Sequence, residues 1–110
     1  MKTYYVYILQ CSDNSYYTGI TNNIDKRILE HNHSPNKTSY TYSRRPVKIV
    51  YQEIFQKPND AIMWEKRIKG WSRKKKEALI KGDFEELKHL SNKKNNTNHT
   101  PPLRQAQGSV

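Results

Sequence analysis

The sequence predicts a small α/β domain of the α+β kind, and three observations carry that expectation. Two aromatic, β-branched segments flank a run of turn residues near the N-terminus. A third segment of the same character lies mid-chain, over residues 47–55. Between and after these segments, apolar residues recur at three- and four-residue steps, bounded by Ser, Asp, Asn and Gly. At 110 residues the chain suits one domain with a modest core. The pattern assigns that domain to residues 1–90.

Residues 3–10 (Thr-Tyr-Tyr-Val-Tyr-Ile-Leu-Gln) read as a strand, Ser12-Asp13-Asn14-Ser15 as a turn, and residues 16–20 (Tyr-Tyr-Thr-Gly-Ile) as the returning strand. Register decides what this hairpin can do. A two-residue loop at Asp13-Asn14 puts Tyr7 and Tyr17 on opposite faces, because side chains alternate along each strand. A three-residue loop with Asn14 left-handed pairs Cys11 with Ser15 and sets Tyr7 opposite Gly19. Both tyrosines then share a face, so a joint role for them predicts the odd-length loop.

Thr21, Asn22 and Asn23 are candidate caps for a helix running to about His33. Ile24 and Ile28 point inward from it, while Arg27 and His31, four apart, lie together on a neighbouring face. Residues 34–46 read as a loop carrying Tyr40 and Tyr42. Asn59 or Asp60 is expected to cap a second helix over 60–69, ended by Gly70. Ala61, Trp64 and Ile68 form its buried stripe, and at about 100° per residue Glu65 falls inside that arc. Ser72 should cap a third helix that begins Arg73-Lys74-Lys75-Lys76 and ends at Gly82. Asp83 and Glu86 resemble a capping box for a short last helix to about Leu90. Residues 91–110 are almost without apolar side chains and read as a disordered, basic and polar tail.

The net charge is +10, of which Lys93, Lys94 and Arg104 supply three in a tail that holds no acid. The remaining +7 lies on residues 1–90 and favours a polyanionic partner, because each neutralised phosphate releases counterions. Cys11 is the sole cysteine, so no internal disulfide or thiolate zinc site can form from this sequence. No signal-like or membrane-spanning apolar run is present, and a soluble cytoplasmic protein with no membrane partner is expected.

Cleaving a phosphodiester requires a base for water, charge to offset the transition state, and help for the leaving oxygen. A carboxylate-held metal ion can serve several of these needs, and a guanidinium can serve the second. Glu65 is the sharpest candidate, since a glutamate in an apolar stripe is normally paired or metal-bound. Its ordinary alternative is a salt bridge. Arg27 could equally be solvated, and His31 could be a base or a phosphate donor. His31-Asn32-His33 lacks a second ligand pair at zinc spacing. Eight tyrosines in strands and loops can be explained by packing alone. Lys69 and the run Arg73, Lys74, Lys75 and Lys76 are either a solvated face or a track for a nucleic-acid backbone beside Trp71.

Taken together, these residues resemble the GIY-YIG nuclease superfamily. Tyr5-Val6-Tyr7 is similar to its first signature and Tyr17-Thr18-Gly19 to its second, with Arg27, His31 and Glu65 following at the family's distances. Arg-Ile-Leu-Glu-His-Asn, Arg45-Pro46 and the stretch from Glu65 to Trp71 resemble the small stand-alone bacterial branch (YhbQ-like). The likeness covers about residues 2–82. Tyr5 and Thr18 depart from the glycine and isoleucine of the family's name, neither of which is a chemical position.

The resemblance implies a three-stranded antiparallel sheet flanked by helices and DNA cleavage dependent on one Mg²⁺ or Mn²⁺. It implies Tyr7 as general base or water-positioning phenol and Tyr17 as the group orienting water or phosphate. Gly19 would let the backbone pass close to the site, and Arg27 would offset transition-state charge. His31 would assist proton transfer or hold phosphate, and Glu65 would hold the metal. Many family nucleases carry a further DNA-binding domain, and none is expected beside this core. Branched or single-stranded DNA in repair or recombination, or a protein partner supplying specificity, is therefore expected. The competing expectation is a non-catalytic nucleic-acid-binding module that keeps the fold. A protein-interaction role within a repair complex is the third.

Overall fold

The computed structural model describes residues 2–94, with side chains to residue 91. Eight elements follow in order: β1 (Tyr4–Gln10), β2 (Tyr16–Thr21), α1 (Ile24–His33), a 3-10 turn (Tyr42–Arg44), β3 (Lys48–Phe55), α2 (Pro58–Lys69), α3 (Arg73–Lys81) and α4 (Phe84–Lys94). They divide into two compact units, one ending at Trp71 and the other beginning at Ser72.

In the first unit the three strands form one antiparallel sheet in the order β2-β1-β3. The central strand is the most apolar, and Val6, Tyr7, Ile8 and Leu9 have no exposed surface. The hairpin takes the odd-length loop that joint use of the tyrosines requires. Cys11 N–H donates to the Ser15 carbonyl at 2.9 Å, Asn14 adopts φ 70°, and Tyr7 stands opposite Gly19. Asn tolerates this left-handed backbone because its short polar side chain can bond locally. Asp13 Oδ1 accepts from Ser15 N–H at 3.0 Å and holds the turn.

The two faces of the sheet are covered by different helices. Tyr7, Leu9, Cys11 and Val47 form a buried cluster against Ile24 and Ile28 of α1. Alternation turns Ile8, and its cross-strand partner Tyr51, to the other face. There Trp64 of α2 donates its Nε1–H to the Tyr51 hydroxyl at 3.0 Å. That face buries Ala61, Trp64, Glu65 and Ile68 of α2, as the stripe predicted. Asn32 ties α1 to the start of β3, donating to the Val47 carbonyl at 3.2 Å and accepting from its N–H at 2.9 Å.

The caps of α1 and α3 follow the sequence: Asn23 accepts from Lys26 N–H, and Ser72 accepts from Lys75 N–H. Gly82 ends α3 at φ 74°, a left-handed position that favours glycine. The start of α2 differs from expectation. Pro58 occupies its first turn and Lys57 is the N-cap, with no side-chain bond, so neither Asn59 nor Asp60 caps it. Proline suits that turn because its missing N–H would have had no helical partner and its φ is already helical. In the second unit Asp83 caps α4 by accepting from Glu86 N–H at 3.1 Å. That helix runs to Lys94 rather than about Leu90. The rest of the expected tail, residues 95–110, lies outside the described residues.

Candidate active site

Tyr7 reaches the site because Gly19 gives it room. The phenol ring crosses Gly19 on the outer strand, where a Cβ would stand 2.5 Å from Cζ and overlap the hydroxyl. The glycine is therefore required by the tyrosine's path, not by its own backbone angles.

Helix α1 then brings two side chains to that hydroxyl. Arg27 Nε donates to Tyr7 Oη at 3.3 Å, and His31 Nε2 lies 3.0 Å from the same oxygen. A guanidinium can only donate, so Tyr7 Oη is its acceptor. The phenol proton then has one acceptor in reach among the described residues, His31 Nε2. On the far side of the ring, His31 Nδ1 lies 3.1 Å from Thr41 Oγ1. Thr41 is 2% exposed and His31 8%, so this chain of bonds is shielded from water.

Burial and the neighbouring Arg27 hold the His31 imidazole below its ordinary 6.5, which keeps it neutral at physiological pH. Burial also pushes the Tyr7 phenol above its usual 10, outweighing the hydrogen bond from Arg27. A standing phenolate at neutral pH is thereby disfavoured.

Tyr17 shares the face of Tyr7, at 6.5 Å between ring centroids, and meets the His31 ring edge-on at 5.0 Å. Its own ring is stacked by Tyr40 at 5.7 Å, over which the Arg44 guanidinium lies at 4.0 Å. Arg44 is in turn fixed by Asp13 at 3.1 Å. Arg45 donates to the backbone carbonyls of His31 (2.9 Å) and Ser34, bracing the C-terminal end of α1. Tyr17, Arg27, His31, Tyr40 and Thr41 line an open groove of about 580 Å³. The Arg27 side chain is 41% exposed there and pairs with Glu30 at 3.1 Å.

Glu65 approaches from α2. Its carboxylate is close enough to Tyr7 to contribute to the rise in that phenol's pKa. Its side chain is 11% exposed, and Oε2 pairs with Lys69 Nζ at 3.1 Å, the lysine being 59% exposed. Among the described residues there is no group of three His, Cys, Asp or Glu that could cage a metal ion. A single, nearly buried carboxylate still fits Mg²⁺ or Mn²⁺, hard ions that commonly take one or two carboxylates and complete their shell with phosphate and water oxygens. Both ring nitrogens of His31 are engaged by Tyr7 and Thr41, leaving neither for zinc.

Tyr7, Tyr17, Gly19, Arg27 and His31 are therefore brought together, with Glu65 within electrostatic reach. Lys69 serves Glu65. Arg73, Lys74, Lys75 and Lys76 lie on α3 in the second unit, where Arg73 pairs with Glu77 at 3.0 Å. Sequence reasoning missed Thr41, Tyr40 and Arg45 as parts of the site. They belong to a loop without periodicity, where the tyrosines and the family-like Arg45-Pro46 gave the only signals and neither pointed to a role at the site.

The family model described as the GIY-YIG catalytic domain matches residues 3–78. The UPF0213 protein SSP2268 of Staphylococcus saprophyticus is 46% identical over 80 residues, covering 73% of this chain and 96% of that protein. A UPF0213 protein of Syntrophus aciditrophicus is 46% identical over 87 residues, covering 79% of this chain and all of that one. The solution NMR structure of the protein EF2693 from E. faecalis is similar with a TM-score of 0.55 and 30% identity, covering 91% of this chain and 97% of that one. Among the described residues, no helix is long and apolar enough to cross a membrane.

Proposed function

This chain belongs to the GIY-YIG family, a nuclease superfamily acting on nucleic acid, and we propose that it is a divalent-metal-dependent DNA endonuclease. The observation that carries the reading is the bond chain from half-exposed Arg27 through buried Tyr7 to His31, lying beside the groove-facing Tyr17.

The chemistry follows from the network. A phenol held above its usual pKa is a poor standing base, so Tyr7 acts by relay. As the water oxygen bonds to phosphorus, the water proton passes to Tyr7 Oη and the phenol proton passes to the neutral His31 Nε2. The bond from phosphorus to the leaving oxygen breaks, and that oxygen takes a proton from solvent. In the resting arrangement Tyr7 has no exposed surface and Arg27 lies on its hydroxyl. Phosphate competes for the same guanidinium, so substrate binding would turn Arg27 outward and open the hydroxyl to water. Arg27 then offsets charge on the non-bridging oxygens, and Tyr17 orients water or phosphate from the groove wall. Glu65 would hold one Mg²⁺ or Mn²⁺, which supplies positive charge to the phosphate and the leaving oxygen.

Branched or single-stranded DNA, as in repair or recombination, is the proposed substrate class. The deciding experiment incubates the purified full chain with single-stranded, linear duplex and branched DNA while Mg²⁺ or Mn²⁺ is titrated. Metal-dependent nicking of at least one substrate is expected. Salt-sensitive binding with no cleavage under either metal would instead identify a non-catalytic binding module.

A further inference from the structure

We infer that Thr41 is a positioning residue that anchors His31 through Nδ1 and so holds the imidazole with Nε2 open to the Tyr7 proton. The inference rests on the proton relay proposed above but has a readout independent of it.

The argument is one of donors and acceptors. Neutral His31 has two arrangements open to it. In the first, Tyr7 donates to Nε2 and Nδ1–H donates to Thr41 Oγ1. In the second, Nε2–H donates to Tyr7 Oη and the Thr41 hydroxyl donates to Nδ1. Tyr7 Oη would then accept from both Arg27 and His31, and its own proton would have no acceptor among the described residues. Tyr7 is wholly buried, and an unsatisfied buried donor carries a heavy desolvation penalty. The first arrangement leaves the Thr41 hydroxyl proton without an acceptor among the described residues, but Thr41 lines the open groove, where solvent can meet it. The phenol is also the more acidic and stronger donor, so the first arrangement prevails. It needs an acceptor at Nδ1, and Thr41 is the group that provides one.

Thr41 is held to that task by its surroundings. It is 2% exposed, and Tyr40 before it is clamped between Tyr17 and Arg44. Its 3.1 Å bond to Nδ1 persists when Nε2 gains the phenol proton, because Nδ1 carries hydrogen before and after the transfer. Thr41 thus leaves Nε2 open as the acceptor and stabilises the imidazolium that forms.

The test is imidazole nitrogen NMR on the full chain and on Thr41→Val and Thr41→Ser, with the His31 signals identified by their loss in His31→Gln. The wild type and Thr41→Ser should show His31 protonated at Nδ1 and unprotonated at Nε2 near neutral pH. Thr41→Val should keep that tautomer, which the Tyr7 proton dictates, but shift the Nδ1–H proton upfield and speed its exchange as its hydrogen bond is lost. A wild-type His31 protonated at Nε2, or a folded Thr41→Val with an unchanged spectrum, overturns the inference. If Thr41→Val does not fold, the wild-type and Thr41→Ser spectra still decide it. On a cleavable substrate, Thr41→Val should lower kcat about tenfold with KM held, and Thr41→Ser should restore it. Wild-type kcat in Thr41→Val overturns the catalytic consequence. Failure of the wild type to cleave any substrate removes the nuclease reading, while the spectra judge Thr41 separately.

Discussion

The α1 side and the α2 side of the site are built on opposite principles. On the α1 side, Arg27, Tyr7, His31 and Thr41 form a continuous series of bonds between 3.0 and 3.3 Å, walled in by stacked Tyr17 and Tyr40. On the α2 side, Glu65 is restrained by one ion pair to a lysine that is 59% exposed. The first arrangement suits proton transfer, where donors and acceptors must already be aligned. The second suits a ligand that arrives from outside, since an exposed lysine gives up its partner at little cost. One side is preorganised from Tyr7 to Thr41, with only Arg27 turning to meet phosphate, and the other is left to be completed by substrate and ion.

Removing the guanidinium should break the preorganised side most severely. Arg27→Ala is expected to lower cleavage by about 10²–10³-fold, measured as kcat/KM on the best substrate of the panel. Retention of more than a tenth of wild-type activity would detach Arg27 from the transition state.

A gentler intrusion tests the packing on the same side. Gly19→Ala forces a Cβ into the Tyr7 ring and should destabilise the fold by about 1–3 kcal/mol, read from denaturant unfolding. An unchanged midpoint would mean that the ring is not held across Gly19.

The pH response separates the two sides without mutation. The relay needs neutral His31, whose pKa in the fold lies below 6.5 because of burial and Arg27. Cleavage should therefore hold through the ordinary histidine range as pH falls and decline only beneath it, about tenfold per pH unit. The same depression has a stability consequence. The unfolded chain takes up this proton first, so the contribution of His31 to stability is complete above 6.5 and is lost as pH falls towards the folded value. An acid limb at or above 6.5 would point to a different group.

The smallest effect belongs to the loose side. Lys69→Ala removes a cation that competes for Glu65, so Mg²⁺ or Mn²⁺ should bind about two- to fivefold more tightly, measured by metal titration of the protein with DNA present. Weaker binding would show that Lys69 assists the ion's site.

The same contrast separates what could be read from the sequence from what could not. Local rules carried the hairpin: requiring Tyr7 and Tyr17 on one face demands the three-residue loop, and Asn14 is a residue that can turn left-handed. Helical periodicity carried Glu65, whose place beside Ala61, Trp64 and Ile68 follows from the 3.6-residue repeat. The start of α2 was misread because Asn59 and Asp60 have cap chemistry, while Pro58 already satisfies the first turn. Strand order was beyond reach, since β3 could have joined either edge of the hairpin before α2 and the loops were placed. Thr41 was illegible for a deeper reason. Its role comes from tertiary contact with His31 ten residues away, across a loop without repeat. Backbone contacts from Arg45 leave no pattern either, because a carbonyl acceptor has no sequence identity.

The claim that both sides serve one phosphate meets its most direct test in Glu65→Ala. Cleavage of the best DNA substrate is followed as Mg²⁺ or Mn²⁺ is raised from none to saturation, with the α1 side left intact. The account predicts metal-dependent cleavage by the wild type and a loss of about 100-fold or more in the variant at every metal concentration. Cleavage by folded Glu65→Ala at the wild-type rate and with the wild-type metal dependence would contradict it.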